Sequence, residues 1–195
     1  MIGLFFGDTE FPKKILLKLK QENKKYIIID LSKKKSFSKN PHSQAFGIGQ
    51  FGKIFKFLSK NKCKKVIFAG KINKPKFSSL KVDFKGFYYL PRIIKAAKLG
   101  DAAILKVIIK ILIKEKINVI SSNTYNPELT LLKGCHTKLK PNTMDLKSIN
   151  KGIKSLRMIN PDNHVQGLVV RDSIIVTKEK IHGTKKMLKT MSKDK

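Results

Sequence analysis

The 195-residue sequence predicts an α/β fold, in which a parallel sheet packs against helices. Up to about Ser122, short runs rich in Val, Ile and Phe alternate with amphipathic stretches, the pattern of strands joined by helical crossovers. Hydrophobic residues make up 41% of the chain, enough to bury a core. The cysteines, Cys63 and Cys135, form no CxxC pair, and an interior rich in Val, Ile and Phe needs no disulfide to stabilise it. A reducing cytoplasm is therefore expected.

Four strands are predicted in the N-terminal part of the chain. They are Ile2 to Phe6, Tyr26 to Leu31, Val66 to Ala69 and Asn118 to Ser121. Three helices are predicted between them: one with Thr9 as N-cap and Pro12 in its first turn, one after Gly49, and one from about Asp101 to Lys116. The apolar stripes of the first two helices consist of Phe11, Ile15, Leu16 and Leu19, and of Phe51, Ile54, Phe55 and Leu58.

The character of the sequence changes after Asn126-Pro127. The elements predicted beyond it are a loop (Leu131 to Pro141), a helix (Met144 to Met158), two strands (His164 to Val170 and Ile174 to Thr177) and a last helix after Gly183. Arg171-Asp172-Ser173 separates the two strands and predicts a hairpin. A boundary is expected between residues 123 and 140, so we predict an N-terminal domain of residues 1–125 and a partial C-terminal domain of residues 126–195.

The chain is strongly basic, with 43 lysines and arginines against 13 acids and a net charge of +30. Clustered cations release counterions from phosphates, which favours nucleic acid or an anionic membrane surface as a partner. Only Arg92, Arg157 and Arg171 are arginines, however, and a codon bias toward A and T would produce the same excess of lysine. Codon composition is the favoured explanation, and membrane and nucleic acid remain alternatives.

No signal peptide and no membrane span are predicted. The apolar run Ile2 to Phe6 has no basic segment before it, and Asp8 and Glu10 follow closely. The stretch Ala102 to Ile113 is interrupted by Lys106 and is shorter than the roughly 20 residues that a bilayer requires. It is predicted to be a core helix.

The motif Gly47-Ile48-Gly49-Gln50-Phe51-Gly52 has the GxGxxG spacing of a dinucleotide-binding turn. Such a turn needs a strand before it and an acid about 20 residues after it, and neither condition is met. Only Gln44 to Phe46 could form a strand ahead of the motif. No Asp or Glu occurs between Asp30 and Asp83. The remaining interpretation is a glycine-rich turn whose backbone N–H groups form a generic anion site at a helix N-terminus.

Two further positions are candidates for binding or catalysis. Lys71 follows Gly70 at the end of an apolar strand, where α/β proteins bind phosphates, and a solvated lysine is the equal alternative. Asp101, which follows Gly100, is a candidate metal ligand or base, although an N-cap is the favoured interpretation. None of the four histidines has a Cys or an acid at metal-ligand spacing.

Together, the order and spacing of these motifs resemble the UDP-2,3-diacylglucosamine pyrophosphatase family of lipid A biosynthesis, the LpxI type. The matching blocks are Gly7 to Pro12, Gly49-Gln50-Phe51-Gly52-Lys53, Ala69-Gly70-Lys71 with Lys74-Pro75, Leu90-Pro91-Arg92, Gly100-Asp101 with Ala103 and Leu105, and Val169-Val170-Arg171-Asp172 with Glu179, Ile181, Gly183-Thr184 and Met187. The chain departs from the family at Thr9, Ala102 and Lys185, where the resemblance implies a Gly and two Asp residues. The family also continues past the position of Lys195 through a segment that carries its catalytic carboxylate, so the chain resembles a truncated member.

The resemblance implies a Rossmann-like N-terminal parallel sheet with helices, followed by a smaller, incomplete α/β C-terminal domain. It also implies Mg²⁺-dependent hydrolysis of UDP-2,3-diacylglucosamine to 2,3-diacylglucosamine 1-phosphate and UMP. The substrate-binding residues that it implies are Gly7, Gly49, Gln50, Lys53, Gly70, Lys71, Asp101, Gly183 and Thr184. Asp101 is also the candidate for catalysis, and no metal ligand is assigned.

We expect from this resemblance a cytoplasmic protein, peripheral to the inner membrane, that binds the UDP-sugar with reduced or no turnover. The anionic membrane surface is an expected partner, nucleic acid is not, and a homodimer is compatible with the family. The alternative from another class is a basic RNA-binding or ribosome-associated protein. Such a protein would bind RNA with an affinity that falls steeply as salt is added.

Overall fold

A five-stranded parallel sheet forms the centre of the N-terminal part of the chain. In this computed structural model, which describes residues 1–72, 80–159, 165–180 and 183–191, the strands are β1 (Ile2–Phe6), β2 (Tyr26–Asp30), β3 (Ser43–Ala45), β4 (Lys65–Ala69) and β5 (Asn118–Val119). The strand order is β3-β2-β1-β4-β5, and every pair is parallel. This is the order of a Rossmann-like sheet, so the predicted fold class is confirmed.

The central strand, β1, is buried along its whole length. On one face of the sheet, Leu4 and Phe6 belong to a cluster with Ile15 of the first helix. On the other face, a Cβ added to Gly3 would lie 2.8 Å from the Leu58 side chain of the second helix. Parallel sheets are covered by crossover helices on both faces, which explains why β1 is continuously apolar.

The helices of this part are α1 (Phe11–Gln21), α2 (Phe51–Lys60), α3 (Phe84–Ala97) and α4 (Asp101–Lys114), and single 3₁₀ turns cover Ser122–Thr124 and Pro127–Leu129. Pro12 lies in the first turn of α1, as predicted. The prediction of Thr9 as N-cap is wrong. Glu10 takes that position without a side-chain cap bond, and Thr9 has a φ of 101°. The reason is the sharp turn that the chain makes there, directly after Asp8 pairs with Lys71.

Two elements do not follow from the sequence pattern. β3 precedes the GxGxxG motif, contrary to the prediction that the strand condition is not met, and it overlaps Gln44 to Phe46, the only stretch that the sequence offered for such a strand. It has three residues, too few for an alternating pattern, and its partner among the described strands is β2. α3 contains Gly86 and Pro91, which both weaken a helical pattern. Its buried residues Tyr89, Ile93 and Ala96 nevertheless lie at helical spacing.

The remaining elements are α5 (Thr143–Met158), β6 (Leu168–Arg171), β7 (Ile174–Lys178) and α6 (Thr184–Met191). A capping box opens α5: the Asn142 side chain accepts from the Asp145 N–H, and the Asp145 side chain accepts from the Asn142 N–H, both at 2.9 Å. β6 and β7 form the predicted antiparallel hairpin, and Asp172 and Ser173 have positive φ in its turn. Positions named in the predictions that lie outside the described residues are Lys74-Pro75, His164, Ile181, His182 and Ser192 to Lys195.

The chain divides into two units. One comprises Met1–Lys95 and Lys106–Leu131, and the other comprises Ala96–Leu105 and Leu132–Lys195. The predicted domain limits, 1–125 and 126–195, stay a prediction. No helix within the described ranges is both long enough and apolar enough to cross a bilayer.

Candidate functional site

The carboxyl edge of the sheet has a topological switch point between β1 and β4. From β1 the chain moves through β2 to β3 on one side, and it returns to β4 on the other side of β1. In open α/β sheets, ligands bind in the crevice at such a point. Gly7 follows β1 and Gly70 follows β4, so two of the predicted binding turns meet here.

Backbone pairing joins these two turns. The Asp8 N–H donates to the Lys71 carbonyl, and the Lys71 N–H donates to the Asp8 carbonyl, both at 2.8 Å. The Gly7 N–H donates to the Ala69 carbonyl at 2.9 Å. These three amides are therefore used within the fold and do not face a phosphate.

Close packing of the same backbone explains the glycines at positions 7 and 70. A Cβ added to Gly7 would overlap the Lys71 carbonyl. Gly70 has a φ of +85°, and its Cβ would lie 2.5 Å from the Asp8 carbonyl oxygen. Chain packing alone thus requires both glycines.

Lys71 presents its side chain at the switch point. The side chain is exposed, and within the part of the chain that is described its ammonium group has no hydrogen-bond or ion-pair partner. On the facing turn, Asp8 Oδ1 accepts the Lys33 N–H at 3.2 Å. An ammonium group in this position suits a phosphate, because hydrogen bonds between charged groups are stronger than neutral ones.

A second cluster surrounds Asp83, which directly precedes α3. Its Oδ2 accepts the Lys53 N–H at 2.9 Å, and its Oδ1 accepts the Gly86 N–H at 2.8 Å. Each of these amides is the third of its helix, so one carboxylate caps both α2 and α3. Desolvation alone would raise the pKa of Asp83, but the N–H groups of Gly86, Lys53 and Gly52 outweigh it and lower that pKa below its ordinary value.

The Asp83 cluster changes the interpretation of the GxGxxG motif. The Gly49 carbonyl approaches α3 so closely that a Cβ added to Gly86 would overlap it. Because the amide of Lys53 already bonds a carboxylate of the chain itself, the N-terminus of α2 is not an open anion site. The glycines of the motif instead allow the start of α2 to pack closely against α3.

The side chains of Gln50 and Lys53 have different positions in this turn. Gln50 Oε1 accepts the Gly47 N–H at 2.9 Å and so holds the turn closed. The Lys53 side chain is exposed, and its charge also lowers the pKa of Asp83. Lys53 therefore remains able to reach a ligand at the sheet edge, whereas Gln50 is engaged.

A buried acid ends β2. Asp30 is 1% exposed; its Oδ1 accepts the Ser32 N–H at 2.9 Å and the Ser32 hydroxyl at 2.6 Å, and its Oδ2 accepts the Phe37 N–H at 3.0 Å. Dinucleotide-binding folds use an acid in the same region to bind ribose hydroxyls. Here both oxygens are buried and bonded, which argues against a dinucleotide site.

A third cluster forms around Glu179 in the second unit. Its Oε2 accepts the Gln166 N–H at 2.7 Å, and its Oε1 accepts the Thr184 hydroxyl at 2.9 Å. These two groups lower the pKa of Glu179. Gly183, with a φ of +82°, turns the chain so that α6 begins beside this carboxylate.

Asp101 is the exposed first residue of α4, and Gly100 before it has a φ of 117°. It is grouped with the second unit, whereas Gly7, Gly49 and Lys71 belong to the first. Among the residues that the structure describes, no three His, Cys, Asp or Glu side chains gather into a group that could hold a metal ion.

Similarity to known proteins decides the family. The family model described as LpxI N-terminal domain matches residues 1–129, and the model described as LpxI C-terminal domain matches residues 132–195. The UDP-2,3-diacylglucosamine pyrophosphatase LpxI of Caulobacter vibrioides is 30% identical over 193 residues, which are 98% of this chain and 69% of the relative. The chain belongs to the LpxI family. The resemblance predicted from the sequence is confirmed.

In this LpxI-family chain, the predicted binding residues fall into separate clusters. Gly7, Gly70 and Lys71 meet at the switch point; Gly49, Gln50 and Lys53 lie around Asp83; Gly183 and Thr184 lie around Glu179; and Asp101 begins α4. Sequence reasoning missed the roles of Asp83 and Asp30. Asp83 carries an N-cap signal, an acid three residues before a helical Gly86 amide, that could have identified it. Asp30 carries none, because its partners come from a loop.

Proposed function

We propose that this protein binds UDP-2,3-diacylglucosamine and hydrolyses its pyrophosphate to 2,3-diacylglucosamine 1-phosphate and UMP. The relative from Caulobacter vibrioides bears the name of this activity. The observation that carries the proposal in this chain is the exposed ammonium group of Lys71 at the switch point of the sheet. Ligands with phosphate groups bind at this point in related architectures.

In this proposal, Lys71 binds a phosphate of the substrate through its side chain. The neighbouring amides of Gly7 and Asp8 are bonded within the fold, so the backbone contributes little there. A lysine acts as a compact point charge that stabilises the negative charge developing on a phosphate oxygen. Lys53, in the first turn of α2, supplies a second ammonium group. Gly49 and Gln50 hold the loop before α2 in place.

Mg²⁺ is proposed to enter with the diphosphate of the substrate. This ion commonly takes one or two protein carboxylates and completes its shell with phosphate oxygens and water. Asp8, paired with Lys71 through the backbone, would hold the ion from the protein side. When bound, the ion would supply charge neutralisation and a more acidic water.

We further propose that the protein keeps its affinity for the UDP-sugar but hydrolyses it slowly. Hydrolysis assisted by a metal needs carboxylates that hold the ion and orient water. Asp30, Asp83 and Glu179 already use both carboxylate oxygens for contacts within the fold.

We also propose that the protein works in the cytoplasm at the surface of the inner membrane. The proposed substrate carries two acyl chains and therefore resides in a bilayer. A net charge of +30 would be attracted to an anionic leaflet.

Calorimetric titration with UDP-2,3-diacylglucosamine in a mild detergent, together with an assay of UMP release, tests the proposal. We expect saturable binding that competes with UDP, and slow UMP release that EDTA abolishes and Mg²⁺ restores. A chain that ignores UDP-sugars but binds RNA with a steep dependence on salt would instead support the RNA-binding alternative.

A further inference from the structure

The solvent-facing side of α3 is aromatic where a surface helix is normally polar. Phe84 is 90% exposed, Phe87 is 70% exposed and Tyr88 is 55% exposed. Residues three and four apart lie on one side of a helix, so these three rings form a continuous surface that the exposed Pro91 extends. We name this surface, Phe84, Phe87, Tyr88 and Pro91, the aromatic face of α3.

Cations border the aromatic face. The Arg92 guanidinium group lies 5.8 Å from the centroid of the Tyr88 ring, and the Lys114 ammonium group of α4 lies 6.0 Å from it. Lys95 is exposed on the same side of α3, one turn after Pro91. Three positive charges therefore accompany the exposed rings.

In the described part of the chain, the acids next to α3 are engaged elsewhere: Asp83, which precedes Phe84, accepts the Lys53 and Gly86 N–H groups. α3 itself contains no Asp or Glu. Glu115, which follows α4, is bonded to the Lys85 ammonium group at 2.7 and 2.8 Å and to the Tyr89 hydroxyl at 3.1 Å. Both carboxylate oxygens of Glu115 are therefore engaged by these two residues.

We propose that the aromatic face of α3 docks on an anionic lipid bilayer. Phe84 and Phe87 enter the interfacial layer, and Arg92, Lys95 and Lys114 contact lipid phosphates. Helices that lie in a membrane interface combine large apolar side chains on one side with lysine and arginine beside them. The inference deepens the proposed function and rests on it for the expectation that a bilayer is the place of work.

Charge favours a bilayer over a second copy of this chain. Two copies that met through this face would bring the cations of one copy, Arg92, Lys95 and Lys114, close to the same set on the other, in a protein of net charge +30. An anionic leaflet complements the same groups. Exposed contiguous apolar patches of this kind mark interaction surfaces on soluble domains.

A tryptophan reporter tests the docking directly, because the chain contains no tryptophan. Phe87→Trp is titrated with vesicles of phosphatidylcholine and phosphatidylglycerol, and Leu17→Trp, at a position 58% exposed on α1, is the matched control. We expect the emission of Phe87→Trp to shift to shorter wavelength and that of Leu17→Trp to stay unchanged. Equal shifts, or no shift for Phe87→Trp, would overturn the proposal.

Removing the rings gives the second measurement. The double variant Phe84→Ser with Phe87→Ser is expected to bind these vesicles at least about tenfold more weakly, a loss of about 1.4 kcal/mol, while Leu17→Ser binds like the unchanged chain. Affinity for a water-soluble UDP-sugar should stay unchanged in both variants. Undiminished vesicle binding with normal UDP-sugar affinity would reject the docking face and leave the proposed function intact. Lack of UDP-sugar affinity in the unchanged chain would instead reject the proposed function.

Sedimentation in the absence of lipid tests whether a second copy of this chain covers the aromatic face instead. We expect the unchanged chain and the double variant to sediment alike. Self-association that the double variant abolishes would show that a second copy covers the aromatic face, and would overturn the assignment to a bilayer.

Discussion

Asp30, Asp83 and Glu179 each hold together two residues that are not adjacent in sequence. Each accepts hydrogen bonds on both carboxylate oxygens, from loops or from the first turns of helices. A carboxylate removed from water is costly unless its oxygens are bonded, so these contacts are what permit acids at such positions.

Lys71→Ala is expected to weaken the binding of UDP-2,3-diacylglucosamine by about 1.5 to 3 kcal/mol, because it removes a hydrogen bond between charged groups. Calorimetric titration measures the change. The control is Lys60→Ala, which removes an exposed lysine from the C-terminal end of α2. Equal affinities of the two variants would contradict the assignment of Lys71.

Asp83→Ala is expected to lower the free energy of unfolding by about 2 kcal/mol, because two helices each lose a cap worth about 1 kcal/mol. Asp83→Asn keeps a single acceptor oxygen, so about half of that loss is expected. Urea unfolding at pH 7 measures both. Equal stability of Asp83→Ala and the unchanged chain would show that the two caps contribute nothing.

The stabilisation by Asp83 is also expected to depend on pH. Its folded-state pKa is lowered by N–H donors, so the ionised group stabilises the fold above the unfolded-state pKa, and this contribution disappears as the pH falls through the folded-state pKa. The difference in stability between the unchanged chain and Asp83→Asn should therefore be constant near neutral pH and shrink below about pH 4. Unfolding curves across that range provide the check, and a constant difference would contradict the assigned contacts.

At the scale of elements, α2 and α3 depend on each other for their first turns. The two helices begin on either side of one carboxylate, and the Gly49 backbone approaches that of Gly86. An external anion is not needed to satisfy these amides. The GxGxxG spacing in this chain thus has a packing explanation that does not involve a nucleotide.

Substitutions within the motif distinguish packing from ligand binding. Gly49→Ala is expected to lower the free energy of unfolding by about 1 to 3 kcal/mol, since a Cβ there would lie 2.7 Å from Val82 Cγ1 and 2.8 Å from the Lys81 carbonyl oxygen. Gly47→Ala is the control, because its Cβ would meet nothing closer than 3.5 Å. Urea unfolding should show this difference. Equal losses at the two positions would contradict the packing explanation.

At the scale of the whole molecule, the charge of +30 acts on every anionic partner. It attracts RNA and membranes alike, so an observed attraction does not by itself identify a partner. The dependence of the affinity on salt concentration distinguishes partners, because its steepness reflects the number of phosphates that the protein neutralises.

Raising the salt concentration from 50 to 200 mM should therefore affect the two kinds of ligand differently. We expect RNA binding to fall by orders of magnitude, since a strand contacts many lysines, and UDP-sugar binding to fall only severalfold, since few charges are involved. Parallel titrations with a labelled RNA and with the UDP-sugar measure this. An equally steep loss for the UDP-sugar would indicate nonspecific attraction to the lysines.

Local periodicity in the sequence determined the strands β1, β2 and β4, the helices α1, α2, α4 and α5, and the hairpin of β6 and β7. These elements can be predicted because apolar residues recur at a fixed spacing and turn residues occur between them. The order of motifs determined the family. Lys71, at the end of a predicted strand, was a candidate before its surroundings were known.

Only the tertiary structure decided how the turns meet. Lys53 and Asp83 lie 30 residues apart, and no local pattern states that the amide of one bonds the carboxylate of the other. The same holds for Gly7 and Gly70, which are needed because two backbone segments pass too closely for a Cβ. The aromatic face of α3 could not be predicted from the sequence either, because the exposure of a side chain depends on which side of the helix packs against the rest of the protein. Contacts distant in sequence follow from the packing of whole elements, and local propensity does not encode them.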